Sequence, residues 1–191
     1  MCNPIHSCLK ALVMSLAVLL LLNAVPSMAA SRAEIDRDAN AALQNLYKHN
    51  IMAKALGEKA KGILVFPHIL KAGLIIGGEG GNGALLKHGK TEGYYNIAGA
   101  SFGFEAGAEN FGYAMFFMND AALAYLRKSE GWEVGAGPTL VIVDKKTAAA
   151  FGKNMTTSTL KDDIYAFVFS QKGLMGGISL NGSKITRIHP D

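Results

Sequence analysis

A chain of 191 residues with a formal net charge of +4 and only two cysteines is long enough for one domain with its own core. The charge is too small and too scattered for nucleic acid, because no run of Lys and Arg exceeds two residues. Both cysteines, Cys2 and Cys8, precede an apolar leader, so whatever follows that leader has no disulfide framework, thiolate zinc site or cysteine nucleophile.

Residues 1–30 read as a secretory signal peptide: Lys10, an apolar stretch from Ala11 to Val25, then Pro26 and the small-residue stretch Ser27-Met28-Ala29-Ala30. That stretch, interrupted by Asn23, falls short of the roughly 20 apolar residues that span a bilayer. Cleavage after Ala29 or Ala30 and a periplasmic or secreted location are expected. A lipid-modified cysteine would have to follow the apolar stretch directly, where Ala29, Ala30 and Ser31 stand. Lys10 is the only basic residue before position 31, so the expected mature domain, residues 31–191, sets 18 basic residues against 15 acidic ones, a net of +3. Such a mild excess suits an anionic membrane surface.

The mature chain opens with a helix. Ser31 and Glu34 have the spacing of a capping box, and Ile35, Ala39, Ala42 and Leu46 form one stripe of a 3.6-residue period. A second helical stretch, about Ile51 to Lys61, carries Lys54, Lys59 and Lys61. From Gly62 the chain becomes β-like: Gly62 to Phe66 ends at Pro67, and Leu74-Ile75-Ile76 follows Gly73. Strict alternation from Ala98 to Glu109 predicts one strand with an apolar face and a small or polar face. Asn119 to Ser129 reads as a helix capped by Asn119, and Trp132 to Val143 as another alternating strand. A short helix is expected over Lys145 to Phe151. Strands over Ile164–Phe169, Leu174–Leu180 and Ile185–Ile188 complete the sheet, with Asn181-Gly182 as a hairpin turn. Glycine placed on one side of long strands predicts a strongly curved or barrel-like antiparallel sheet. The fold class is therefore α+β, mainly β, with N-terminal and peripheral helices.

Three motifs compete for the glycine-rich centre. Gly78-Glu79-Gly80-Gly81-Asn82-Gly83 fits the dinucleotide fingerprint, Ala84 to Thr91 falls one methyl short of a P-loop, and Gly99-Ala100-Ser101-Phe102-Gly103 has the letters of a nucleophile elbow. The first two need a helix directly afterwards, to hold phosphate on its N–H groups. Ala84 to His88 is too short before Gly89, and Glu92 to Ile97 is β-prone, so no nucleotide is expected. Ser101 sits mid-strand, whereas an elbow is a sharp strand-to-helix turn. An esterase-like hydrolase using Ser101, one of Asp120, Asp144, Asp162 and Asp163, and His189 is a minor alternative. His49, His68, His88 and His189 have no metal-ligand spacing, and Asp162-Asp163 reads as turn and capping chemistry before a strand. No metal or cofactor is expected.

With those motifs set aside, an ordered series of words stands out. It includes Lys59-Ala60-Lys61-Gly62-Ile63-Leu64-Val65-Phe66-Pro67, Lys71-Ala72-Gly73, Gly93-Tyr94-Tyr95, Ser101-Phe102-Gly103, Gly131-Trp132-Glu133-Val134-Gly135, Asp162-Asp163-Ile164-Tyr165-Ala166-Phe167 and Gln171-Lys172-Gly173-Leu174-Met175. From about Ala33 to Ile188 the chain resembles the SYLF domain family. The resemblance implies a lipid-binding module without catalytic residues. Eukaryotic members bind phosphoinositides and regulate actin at membranes, whereas bacterial members are exported. The expectation is a non-enzymatic exported protein that associates with anionic phospholipid. Lys54, Lys59 and Lys61 would meet the lipid beside the helical region, and Lys71, Lys87 and Lys90 around the glycine-rich turns. The alternative is a structural or protein-interaction module of the cell envelope.

Overall fold

The structure is a computed structural model that describes residues 30–73, 76–102, 107–129, 131–143, 161–173 and 182–191. The leader, the helix expected over 145–151 and the strand expected over 174–180 lie outside the described residues.

Helix α1, Arg32–His49, begins with the expected capping box: the Ser31 hydroxyl accepts from the Glu34 N–H, and the Glu34 carboxylate accepts from the Ser31 N–H at 3.0 Å. Its buried stripe is Ile35, Ala39, Leu43 and Leu46. Asn50 caps α2, Ile51–Gly57, accepting from the Ala53 N–H at 2.9 Å. This helix stops at Gly57, short of the expected Lys61, so Lys59 and Lys61 lie in the turn that leads into β1. Helix α3, Asp120–Lys128, is capped by Asn119, which accepts from the Ala122 N–H at 2.8 Å.

The strands are β1 Gly62–Gly73, β2 Ile76–Lys87, β3 Lys90–Phe102, β4 Gly107–Phe117, β5 Trp132–Glu133, β6 Leu140–Ile142, β7 Ile164–Gly173 and β8 Lys184–Ile188. They form one sheet in the order β5-β8-β3-β2-β1-β4-β7-β6. All pairs are antiparallel except β6 with β7. Strands β1 to β4 have Greek-key order, with β4 returning to lie beside β1.

Three sequence expectations change here. Pro67 does not end β1. It lies at a β-bulge, where Phe66 pairs with Tyr113 and Ile69 with Phe111, so one extra residue is absorbed. A proline inside a central strand is tolerated at such a point because the ladder has already lost a hydrogen bond there. The single strand expected over Ala98–Glu109 is two strands on opposite sides of the β1–β2 hairpin, joined through residues 103–106. Trp132–Val143 likewise divides into β5 and β6, with Gly135 and Gly137 at positive φ between them.

That last division dictates the shape. β5 and β6 are the two outer strands of the eight-stranded sheet, yet residues 134–139 join them. A flat sheet would separate them by about 34 Å, at about 4.8 Å per strand. The link from Glu133 to Leu140 can span at most about 25 Å. The sheet therefore curls into a half-barrel. Its inner face packs Leu64, Phe66, Tyr95, Phe111, Phe117 and Trp132 against Leu123 and Leu126 of α3. Its outer face buries Ile63, Val65, Phe116 and Phe167 under α1 and α2. Each large side chain buried this way contributes about 1.5–3 kcal/mol.

Candidate functional site

The strand register gathers cations at one end of the half-barrel. Ile63 pairs with Leu86, and Lys87 with Lys90, so the start of β1, the end of β2 and the start of β3 share that end. His88 and Gly89 between the lysines both have positive φ, 49° and 75°, as a two-residue type I′ turn requires. Lys59, Lys61 and Lys90 are exposed there and Lys87 is half-buried. Helix α2 leads directly into this end. Its outer face shows Ile51, 87 % exposed, one turn from the exposed Lys54, while Met52, Ala53 and Leu56 point inward. Ile51 had no signal in the sequence, since an isoleucine at a helix start reads as core.

Lys71 does not belong to this set. It lies on the inner face two residues beyond Ile69, at the opposite end of β1, and is 3 % exposed. Its cross-strand neighbours are Glu79 on β2 and Glu109 on β4, which is itself 4 % exposed. The region expected as glycine-rich turns is the body of β2, so the lysine expected to flank a surface turn is instead buried between two carboxylates. The Ser183 hydroxyl donates to Glu79 Oε1. Gly99, opposite Glu79 on β3, leaves room for that contact, because a Cβ there would stand 2.8 Å from Ser183 Oγ. Burial raises the Glu79 carboxyl above its ordinary range, and the Ser183 hydrogen bond and the Lys71 charge pull it back. Burial, and then the Glu79 charge, raise the Tyr113 phenol. The Tyr113 hydroxyl and Glu79 Oε2 have no hydrogen-bond partner among the described residues. This polar layer stood in no sequence motif.

The motif residues resolve by position. Gly78 to Gly83 all pair with β3, Gly78 to Gly80 pair with β1 as well, and the chain continues as strand into Ala84 and Leu85. No helix opens there to cradle a phosphate. Ser101 lies in β3 opposite Gly77. His189 follows Ile188, which pairs with Tyr94 near the other end of β3. Seven residues of strand, about 23 Å, separate Tyr94 from Ser101, so Ser101 and His189 cannot form a hydrolytic pair. Asp163 does the turn chemistry expected of it. Its carboxylate accepts from Asn119 Nδ2 at 2.6 Å and from the Thr139 N–H and hydroxyl, both at 2.9 Å. Those bonds, that from the Thr139 backbone foremost, hold it below the usual carboxylate range.

The fold and site define a class: a curled-sheet module with two packed faces, a basic end and a buried polar layer. A sequence model of the Ysc84 family, described as Las17-binding protein actin regulator, matches residues 98–189. The match supports assigning the chain to the SYLF family of binding and regulatory domains. No curated protein matches the chain. The matched stretch runs from β3 to the end of β8, so all six lysines singled out above lie before it.

Proposed function

We propose that this is an exported, non-catalytic lipid-binding protein that docks on anionic phospholipid membranes through the basic end of its half-barrel. The observation that carries the reading is Ile51, an exposed apolar side chain on the same helix face as Lys54, next to an end of the sheet bearing Lys59, Lys61, Lys87 and Lys90. An apolar anchor with cations around it is what an anionic interface rewards, each lysine near the surface contributing about 1 kcal/mol. Among the described residues no helix is long and apolar enough to cross a membrane. Residues 1–30 supply the export signal, and the domain comprises residues 31–191.

Sedimentation with vesicles of phosphatidylglycerol and phosphatidylcholine, against phosphatidylcholine alone, tests this reading. The expected result is pelleting with the anionic vesicles that declines with salt and falls on Ile51→Ser or on Lys87→Glu with Lys90→Glu. Equal, negligible pelleting with both vesicles would leave a protein-interaction module of the envelope as the better account.

A further inference from the structure

Apart from the lysines, this end of the half-barrel holds a small pocket of about 180 Å³ into which Arg32, Arg187 and His189 converge, with Gly93 in its wall. Three parts of the chain build it. The pairing of Tyr94 with Ile188 sets the end of β8 beside the start of β3. The first residue of α1 is tied to the chain end, the Arg32 N–H donating to the Asp191 carbonyl at 3.2 Å and Arg32 Nε to the Pro190 carbonyl at 2.6 Å. Gly93 has no side chain to fill the space under Arg187, whose Nη2 would lie 3.6 Å from a Cβ added there.

Two of the neighbouring acids are already engaged. Glu92, also in the wall, pairs with Arg127. Asp36 accepts from the Thr91 hydroxyl at 2.7 Å and from the Tyr94 hydroxyl at 3.1 Å. Among the described residues Arg187 and His189 have no ion pair, and Arg32 uses only its Nε. Two guanidinium groups and an imidazole thus line a small space with most of their donors unused, beside the positive end of an 18-residue helix. Guanidinium forks match pairs of oxygens on one tetrahedral anion. A phosphate monoester presents three terminal oxygens to donors arriving from α1 and β8, whereas a diester presents two.

We infer that the Arg32–Arg187–His189 pocket binds the phosphate group of a monoester dianion. Such a group comes either from a soluble phosphate ester or from a lipid head group ending in a free phosphate. The pocket stands independently of the lysine surface, because it uses none of those side chains.

Isothermal titration of the full chain with inorganic phosphate and with glycerol 3-phosphate tests the inference. The expected result is one-to-one binding that is roughly tenfold weaker in Arg187→Gln, about the effect of one charged hydrogen bond. Arg187 is exposed and has no ion pair among the described residues, so circular dichroism should show an unchanged fold. Arg187→Lys should fall between, since it keeps the charge and loses the fork. Lys87→Ala with Lys90→Ala should bind as the parent does. No binding of either compound, or equal affinity in Arg187→Gln, overturns the inference.

Vesicles separate the two sources. With a lipid source, phosphatidic acid outcompetes phosphatidylglycerol at matched charge, and Arg187→Gln removes that preference. With a soluble source, glycerol 3-phosphate binding depends on Arg187 and the vesicle preference is absent. Either outcome upholds the pocket. Membrane docking fails separately, if the parent chain pellets with no anionic vesicle while still binding glycerol 3-phosphate.

Discussion

Asp163 ties together three segments that are remote in sequence. Its carboxylate takes the side chain of Asn119, the residue that caps α3, and both donors of Thr139, just before β6. Its own N–H donates to the Thr139 hydroxyl at 2.8 Å, and its carbonyl accepts from the Met118 N–H. Asp163→Asn keeps the shape and removes the charge, so it should destabilise the fold by about 1 kcal/mol at neutral pH. The pH dependence has a definite sign. A carboxyl held below its ordinary value of 3.8 adds stability above that value and loses it as pH falls toward the depressed one. Urea unfolding followed by the fluorescence of Trp132, which is buried against Phe117, should show the parent and Asp163→Asn converging as pH falls below 3.8. A gap that persists there would mean that the carboxylate charge is not the source.

At the scale of elements, the bulge in β1 decides which residues face inward. Leu64 and Phe66 precede it on the inner face and Ile69 follows on that same face, although Phe66 and Ile69 differ in parity. The extra residue pushes the His68 carbonyl toward β2, and Gly81 accommodates it: a Cβ at Gly81 would stand 2.3 Å from that oxygen. The neighbouring Gly80 has its nearest contact at 3.6 Å, ordinary packing. Gly81→Ala should therefore cost about 1–3 kcal/mol, while Gly80→Ala leaves the unfolding midpoint close to the parent's. Equal effects at the two positions would show that glycine here serves flexibility and not close approach.

The same bulge marks where the sequence stops being readable. Caps such as Ser31 with Glu34 and Asn119 were legible because their chemistry is local. Pro67 looked like a strand end because a proline reads the same at a terminus and at a bulge. The alternation from Ala98 to Glu109 hid a change of strand because its period of two continues across residues 103–106. Lys54, Lys59, Lys61 and Lys90 were legible as surface charge. Lys71 was misplaced because only the register shows the two glutamates beside it. Arg32, Arg187 and His189 carry no shared motif, and only the β3–β8 pairing and the fastening of α1 to the chain end bring them together.

For the molecule as a whole, the six lysines singled out above divide into two populations with separable effects. Those at the basic end can change sign without touching the core, so Lys87→Glu with Lys90→Glu should reduce anionic-vesicle binding and leave the unfolding midpoint near the parent's. Lys71→Met should do the reverse. It leaves Glu109 buried and Glu79 half-buried without their cation, and breaking a buried pair costs about 3–5 kcal/mol. This loss must depend on pH in the sense opposite to that of Asp163. The folded Glu79 carboxyl already titrates above its ordinary value because of burial, and the Lys71 charge is one of the two influences that lower it. Between the unfolded and folded values the native state binds more protons, so stability rises as pH falls through the folded value and is lowest above it. Removing Lys71 raises the folded value further, so the variant's deficit should be greatest at neutral pH and shrink on acidification, as protonated carboxyls no longer need a cation. Unfolding curves of the parent and Lys71→Met at pH 7 and near pH 5 check this. A deficit that is constant or grows toward pH 5 would mean that Lys71 stabilises the half-barrel through its packed methylenes, with no part for its charge.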